Sequence, residues 1–270
     1  MNAQDVKAWA REFGADLVGI APAARFAELP LERSPLAIFP ECRSVLVVGR
    51  RILRGALRGV EEGTNFQSTY GLFGFRWLED NFLAKTTYDL TCRIEAGGFE
   101  AVPLFGYCEE GMPRGLPVAG GKPAPNVIVD LDFAARAAGL GAVGRGGFLL
   151  TPEYGTRQRL ALVLTDAELE AAAAFEGSVC DDCGSCAAAC PFGAIGGSGV
   201  DYRVCGKCPN GATSGPGRGS RPDRLAAACA RACLVHLEGE GKCRNAFTNC
   251  FRKREPWALD LFRRPLETKS

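Results

Sequence analysis

The segment Cys180-Asp-Asp-Cys183-Gly-Ser-Cys186-Ala-Ala-Ala-Cys190-Pro191 carries the most information about the fold of this chain. Its cysteines have the spacing C-x2-C-x2-C-x3-C-P, which is typical of ligands to a 4Fe–4S cluster. Three cysteines at intervals of three residues wrap a short loop around one cluster, and the fourth commonly ligates a second cluster. The segment therefore predicts an iron–sulfur protein that transfers electrons.

Four further cysteines follow this segment as two pairs. Cys205 and Cys208 form C-x2-C, and Cys229 and Cys233 form C-x3-C. Two-cluster ferredoxins repeat the pattern C-x2-C-x2-C-x3-C, and here an insertion rich in glycine and serine divides the second repeat. We expect a helix that has Pro222 in its first turn and carries Cys229 and Cys233 on one face.

The crossed ligation of two-cluster ferredoxins assigns these eight cysteines to two clusters. The first set comprises Cys180, Cys183, Cys186 and Cys233. The second set comprises Cys190, Cys205, Cys208 and Cys229. A single cluster and a zinc site are alternatives, because two C-x2-C pairs alone are also typical of a zinc ribbon. Cys243 and Cys250 are left unassigned, although either one can replace a later ligand.

Composition places the chain among globular, reduced proteins. It has 270 residues, of which 47% are hydrophobic, and a formal net charge of +1, so no global field indicates nucleic acid or membrane as a partner. No apolar run has the length of a spanning helix, and Asp5, Glu12 and Asp16 interrupt any signal-peptide core. Thirteen cysteines, an odd number, argue against a disulfide framework. We expect a cytoplasmic protein.

The part of the chain before the cysteines alternates helical and extended patterns. The predicted helices are 6–13, 76–96 and 132–138, and the predicted strands are 17–20, 44–48, 101–104 and 159–165. This alternation favours an α/β layer architecture. The motif Gly139-Leu-Gly141-Ala-Val-Gly144 matches G-x-G-x-x-G, but a helical segment precedes it, so we expect a turn and not a dinucleotide site.

Several other groups are expected to have structural roles. Cys42, Cys92 and Cys108 are predicted to be buried small hydrophobic residues, and His236 a structural histidine. The basic segment 251–257 is predicted to be a solvated tail with its tryptophan packed on the body. The acidic and phenolic groups near the Gly- and Pro-rich loop 107–126 are predicted to be surface groups. They are Tyr107, Glu109, Glu110, Asp130 and Asp132.

Two motifs precede the cysteines in an order that resembles a known family. Gly139-Leu-Gly-Ala-Val-Gly144 and Leu149-Leu-Thr-Pro-Glu-Tyr-Gly155 lead into the cysteine segment as they do in the epoxyqueuosine reductase and reductive dehalogenase group. The N-terminal segments 15–21 and 44–49 fit as well. The resemblance extends from about residue 15 to 255, and the chain looks like a short cytosolic paralogue.

This resemblance implies a fold and a chemistry. It implies a nitroreductase-like α/β domain (1–175), a ferredoxin-like domain with two 4Fe–4S clusters (176–255) and a C-terminal tail (256–270). A donor such as ferredoxin or flavodoxin would supply electrons, and the clusters would pass them to a corrinoid, cobalamin, that reduces a small-molecule substrate. The residues implied near the corrin ring are Gly139, Gly141, Gly144, Thr151, Pro152, Glu153, Tyr154 and Gly155.

The sequence also departs from that family. It lacks the C-terminal helical repeats with which epoxyqueuosine reductases help to bind tRNA, so we expect no nucleic-acid partner. It lacks the twin-arginine signal of respiratory dehalogenases, and Asp130 does not match the family's proton donor, so no catalytic residue is assigned. A ferredoxin-like electron carrier without a corrinoid and a zinc-stapled binding module are the alternative functions.

Overall fold

The computed structural model describes residues 1–105, 115–213 and 222–266. Its helices are α1 (Ala3–Glu12), α2 (Arg58–Glu61), α3 (Ala84–Glu95), α4 (Leu131–Ala137), α5 (Ser185–Ala188), α6 (Tyr202–Cys205) and α7 (Ala228–Gly239). Its strands are β1 (Leu17–Pro22), β2 (Ser44–Arg51), β3 (Ala101–Phe105), β4 (Ala142–Val143), β5 (Leu149–Leu150), β6 (Gln158–Thr165), β7 (Ile195–Gly196), β8 (Gly199–Val200), β9 (Ala212–Thr213), β10 (Pro222–Asp223), β11 (Ala258–Leu259) and β12 (Pro265–Leu266).

The chain forms two compact units, and each is assembled from three separate segments. The sheet unit comprises Met1–Arg51, Leu78–Leu140 and Arg159–Glu176. The cysteine unit comprises Ile52–Trp77, Gly141–Gln158 and Gly177–Ser270. These bounds differ from the predicted 1–175, 176–255 and 256–270. Segments 52–77 and 141–158 belong with the cysteines, and a buried arginine in each of them pairs with Glu238 of α7.

The sheet unit is built on a four-stranded sheet in the order β1-β2-β6-β3. β1 pairs with β2, and β3 with β6, both antiparallel. α1 begins at a capping box, in which Asn2 accepts from the backbone of Asp5 and Asp5 accepts from that of Asn2, and it ends before Gly14, whose φ is +94°. Apolar residues of α1, α3 and the strands form the core of this unit.

The structure has helices and strands at the predicted positions in this unit, with one marked difference. Only Ala84–Glu95 of the predicted helix 76–96 is α-helical, and π-helical turns over Gln67–Arg76 and Leu78–Leu83 precede it. The hydrophobic pattern of a helix differs little between α- and π-helical turns over such a short stretch, which is why the sequence does not separate them. Among the described residues, no helix combines the length and the apolar character needed to cross a membrane.

The helix that carries the last two cysteines begins later than predicted. The strand β10, which contains Pro222, pairs with β9, and the Asp223 carboxylate accepts from the backbone of Leu225 in a 3-10 turn. Ala227 is extended, with ψ at 158°, so the α-helix begins only at Ala228. The local capping by Asp223 stabilises the turn in place of an earlier first helical turn.

Candidate metal centres

The four cysteines of the first set lie around one cavity of the cysteine unit. The loop before α5 contributes two of them, α5 a third and α7 the fourth; they are Cys180, Cys183, Cys186 and Cys233. Gly184, with φ at +78°, makes the left-handed turn that brings the loop into α5. Residues that are far apart in the sequence thus line one cavity.

The four cysteines of the second set line another cavity of the same unit. They are Cys190, Cys205, Cys208 and Cys229. Cys190 follows α5, Cys205 is the last residue of α6, and Cys229 lies on α7. α7 therefore carries one cysteine of each set, four residues apart on one helical face.

Burial raises the pKa values of the two cysteine thiols of α7, Cys229 and Cys233, when no metal is bound. It raises the pKa of Cys229 to about 12, although the charge of Arg224 opposes the shift. Burial likewise raises the pKa of Cys233 to about 12, and the neighbouring Cys186 and Cys180 raise it further. Thiolates are the metal ligands, so metal binding at this helix must displace protons.

Donors of the protein backbone and side chains reach two sulfur atoms of the second set. The Asn210 amide donates to Cys208 Sγ at 3.4 Å, and the Ala194 backbone donates to Cys190 Sγ at 3.3 Å. Asn210 is itself held by two hydrogen bonds with the backbone of Leu259. N–H donors to ligand sulfur are among the factors that set the reduction potential of an iron–sulfur cluster.

Two glycines allow the chain to pass close to the first set. A Cβ on Gly144 would lie 2.9 Å from Cys180 Cβ, and one on Gly146 would lie 3.3 Å from Cys186 Sγ. The predicted role of Gly144 was contact with a corrin ring, and the structure supplies another reason for a glycine at this position. Sequence reasoning missed Gly146, which the run of glycines after Gly144 signals.

His236 has a structural partner at the edge of the first set. Its Nε2 lies 3.0 and 2.8 Å from the two oxygens of Asp181, and the pKa of Asp181 is lowered by this hydrogen bond. Cys183 belongs to the same small group, in which the potential ligand atoms lie within 4.8 Å of one another. The pair links α7 to the loop that carries the first cysteines.

The remaining cysteines divide by burial. Cys42 is buried as predicted, but Cys92 is exposed, so its predicted burial is wrong. Cys92 lies on the outer face of α3, and the hydrophobic character of a cysteine does not by itself predict whether it is buried. Cys243 is buried and Cys250 is exposed, and neither lines the cavity of a cysteine set. The prediction for Cys108 lies outside the described residues.

Two further predicted groups have structural roles. Asp130 caps α4 through the backbone of Phe133 and pairs with Arg33 at 2.6 Å. In the segment 251–257, Trp257 packs on the body as predicted and donates to the carbonyl of Val60 at 2.8 Å, but Phe251 is buried and not solvated. Tyr107, Glu109 and Glu110 lie outside the described residues.

The residues assigned to the corrin ring pack against the chain itself. A Cβ on Gly139 would lie 2.6 Å from the Ala173 carbonyl, and one on Gly141 would lie 2.1 Å from that of Leu150. Thr151 is fully buried and forms an antiparallel bridge with Gly155. Close packing of the chain accounts for glycine at 139 and 141 and for the burial of Thr151, and a role of the eight residues at a corrin ring stays a prediction.

A family model and solved structures connect this arrangement with known proteins. The model of a 4Fe-4S binding domain matches residues 175–196. Among solved structures, an epoxyqueuosine reductase superposes with a TM-score of 0.56 at 14% identity, over 93% of this chain and 68% of that one. A second similar structure is a reductive dehalogenase, described as suggesting a mechanism for B12-dependent dehalogenation. It superposes with a TM-score of 0.60 at 19% identity, over 89% of this chain and 33% of that one.

The chain has the fold of these reductases. A third similar structure is an epoxyqueuosine reductase with an epoxyqueuosine-modified tRNA stem loop, with a TM-score of 0.53 at 15% identity, over 89% of this chain and 68% of that one. The chain spans about a third of the length of the dehalogenase. No curated protein matches it in sequence.

Proposed function

We propose that the protein is an iron–sulfur oxidoreductase with two 4Fe–4S clusters, one in each cysteine set. The observation that carries this proposal is the grouping of eight cysteines in two cavities, with Cys229 and Cys233 of α7 contributing one ligand to each. This is the crossed pattern of two-cluster ferredoxins, in which adjacent clusters form a path for electrons.

Zinc and iron–sulfur clusters both accept four thiolates, so the donor set alone does not separate them. Two observations favour the clusters. The loop from Cys180 to Cys190 has the full C-x2-C-x2-C-x3-C-P spacing, whereas a zinc site needs only pairs. The match of residues 175–196 to a 4Fe-4S binding domain supports the same choice.

The protein's own residues would control electron entry and exit. Ligation by the two cysteines of α7 would hold the clusters on one rigid element, and burial of Cys186 and Cys229 would limit the access of water to these two ligands. The hydrogen bonds from Asn210 and Ala194 would stabilise the charge of the second cluster. The proposed electron donor is a small redox protein such as ferredoxin or flavodoxin.

The proposed electron acceptor is a corrinoid, which would supply a strongly reducing metal centre when bound. Support comes from the fold shared with a dehalogenase described as B12-dependent. The residues proposed to lie near the corrin ring remain Gly139, Gly141, Gly144 and the segment 151–155. We propose a small-molecule substrate, and an RNA stem loop is the alternative favoured by one similar structure.

Metal analysis of anaerobically purified protein tests the clusters. We expect about eight irons and eight sulfides per chain. Cys186→Ala and Cys208→Ala should each remove about half of this iron, because each substitution breaks one set. Cys92→Ala is the matched control, since Cys92 is exposed and belongs to neither set. Zinc without sulfide would support the binding module and contradict the proposal.

A separate measurement tests the corrinoid. We expect cobalt to copurify with the protein, or the visible spectrum of cobalamin to change when it is added to protein with intact clusters. Reducible clusters without either result, together with a stable complex with another protein, would support the electron carrier without a corrinoid. Binding of a tRNA stem loop would contradict a small-molecule substrate.

A further inference from the structure

Arg224 lines the cavity of the second set and donates hydrogen bonds to the loop that lines the cavity of the first. Its Nη2 donates to the carbonyl of Gly146 at 2.6 Å, and its Nη1 donates to that of Gly147 at 3.2 Å. Arg224 lines the cavity of the second set, whereas Gly146 lies in the loop that lines the cavity of the first. One side chain thus connects the walls of the two cavities.

The charge of Arg224 is held in place by its surroundings. Its Cζ lies 4.4 Å from the ring centroid of Phe148 and 5.4 Å from that of Tyr202. Both hydrogen bonds go to carbonyl oxygens, and no carboxylate pairs with it in the part of the chain that the structure describes. Its Nε is buried and has no hydrogen-bond partner there. Among the residues that the structure describes, a fixed cation with no paired carboxylate therefore lines the cavity of the second set.

The field of this cation reaches the second set. Arg224 lines the same cavity as Cys190, Cys205, Cys208 and Cys229. A fixed positive charge in the wall of this cavity would stabilise the additional negative charge of a reduced cluster bound there. Net charge and hydrogen bonds near the ligand sulfurs are what set the reduction potentials of such clusters.

We propose that Arg224 raises the reduction potential of the cluster bound by Cys190, Cys205, Cys208 and Cys229 relative to that of the other cluster. This inference rests on the proposed function, because it requires a cluster in each set. Arg224 acts here as a positioning residue and does not ligate iron. Its hydrogen bonds to Gly146 and Gly147 keep its charge at the wall of the second cavity, and they tie the loop of the first cavity to it.

The test measures each cluster alone. Cys183→Ala leaves only the second set complete, and Cys208→Ala leaves only the first. In each background, the midpoint potential is measured by an anaerobic redox titration followed by electron paramagnetic resonance, with Arg224 intact and with Arg224→Met. Arg224→Lys keeps the charge but not the paired hydrogen bonds. Arg203→Met is the control, because the side chain of Arg203 is 95% exposed.

We expect Arg224→Met to lower the midpoint potential in the Cys183→Ala background and to change it less in the Cys208→Ala background. Arg224→Lys, which keeps the charge, should lower the midpoint potential of the second cluster much less than Arg224→Met does. Arg203→Met should change neither potential. If Arg224→Met prevents cluster assembly, Arg224→Gln, which is neutral but keeps hydrogen-bond donors, replaces it.

Two results separate the possible failures. An unchanged potential of the second cluster, or an equal fall in both backgrounds, would overturn the role of Arg224 while leaving the proposed function intact. A Cys183→Ala protein that contains Arg224 but assembles no 4Fe–4S cluster would overturn the proposed function for the second set, and the role of Arg224 with it.

Discussion

Arg231 donates from Nε to Glu61 Oε1 at 2.5 Å, and both side chains are almost completely buried, with exposed fractions of 1% and 3%. Arg231 lies on α7 between Cys229 and Cys233, and Glu61 is the last residue of α2. Arg252 donates to the other oxygen of Glu61 at 3.0 Å. The pair therefore attaches the helix that is common to both cysteine sets to the segment 52–77.

Removal of Glu61 tests this attachment. We expect Glu61→Ala to lower the free energy of unfolding by about 3–5 kcal/mol, because Arg231 would remain buried without its partner. Denaturant unfolding of the anaerobic protein, followed by circular dichroism, measures the change. Glu62→Ala is the control: its ion pairs with Arg58 and Arg254 are partly exposed, so its loss should be below about 1 kcal/mol. Similar losses for both variants would contradict the assignment.

A methyl group at Gly144 should disturb the first cysteine set alone. The new Cβ would lie 2.8 Å from Leu150 Cδ1 and 2.9 Å from Cys180 Cβ, so Cys180 must move. We expect Gly144→Ala to reduce the iron content by up to about half, with the second cluster retained. Gly197→Ala should keep the full iron content, because the space around Gly197 is open. Equal iron in the two variants would show that the contact does not matter.

Alkylation should distinguish the cysteines outside the two sets. In the native protein we expect iodoacetamide to modify the exposed Cys92 and Cys250 rapidly at pH 8. Cys42 and Cys243 should react far more slowly, because both are buried and burial raises the pKa of each to about 11. Peptide mass spectrometry measures the modification, and the denatured protein, in which all four react, is the control. Rapid modification of native Cys42 would contradict its place in the core.

Cys42 should also make stability depend on alkaline pH. Burial raises its pKa from 9.0 to about 11 in the folded protein, so the unfolded chain loses this proton first as the pH rises. The contribution of the neutral thiol is fully present below about pH 9 and is lost between pH 9 and 11, by at most about 3 kcal/mol. We therefore expect the stability difference between the wild type and Cys42→Ala to shrink over this range in denaturant titrations. A difference that is independent of pH would contradict the shift.

Part of the cysteine unit could be predicted from local spacing. Intervals of three residues let a loop present Cys180, Cys183 and Cys186 together, and an interval of four places Cys229 and Cys233 on one helical face. The start of that helix was predicted incorrectly, because Asp223 caps a 3-10 turn and Ala227 is extended. A hydrophobic pattern does not show which of two neighbouring backbone conformations forms, so it does not predict the first residue of this helix.

The assembly of the units could not be predicted in the same way. Segment 52–77 contains no cysteine, yet Arg54 of this segment pairs with Glu238 of α7 at 3.1 Å. The contact joins residues that are far apart in the chain, and neither residue belongs to a recognisable motif. The role of Arg224 is similar, since its partners Gly146 and Gly147 are distant in the sequence and accept through backbone oxygens that any residue would offer.

The sequence by itself determined the chemistry that the chain can perform, because the identity and local spacing of the cysteines select soft metal ligation whatever the rest of the fold. Only the tertiary structure decided which cysteines line the same cavity and which charged side chains lie beside them. The reason is that cavities, buried ion pairs and fixed cations arise from contacts between distant segments, and local spacing contains no information about those distances.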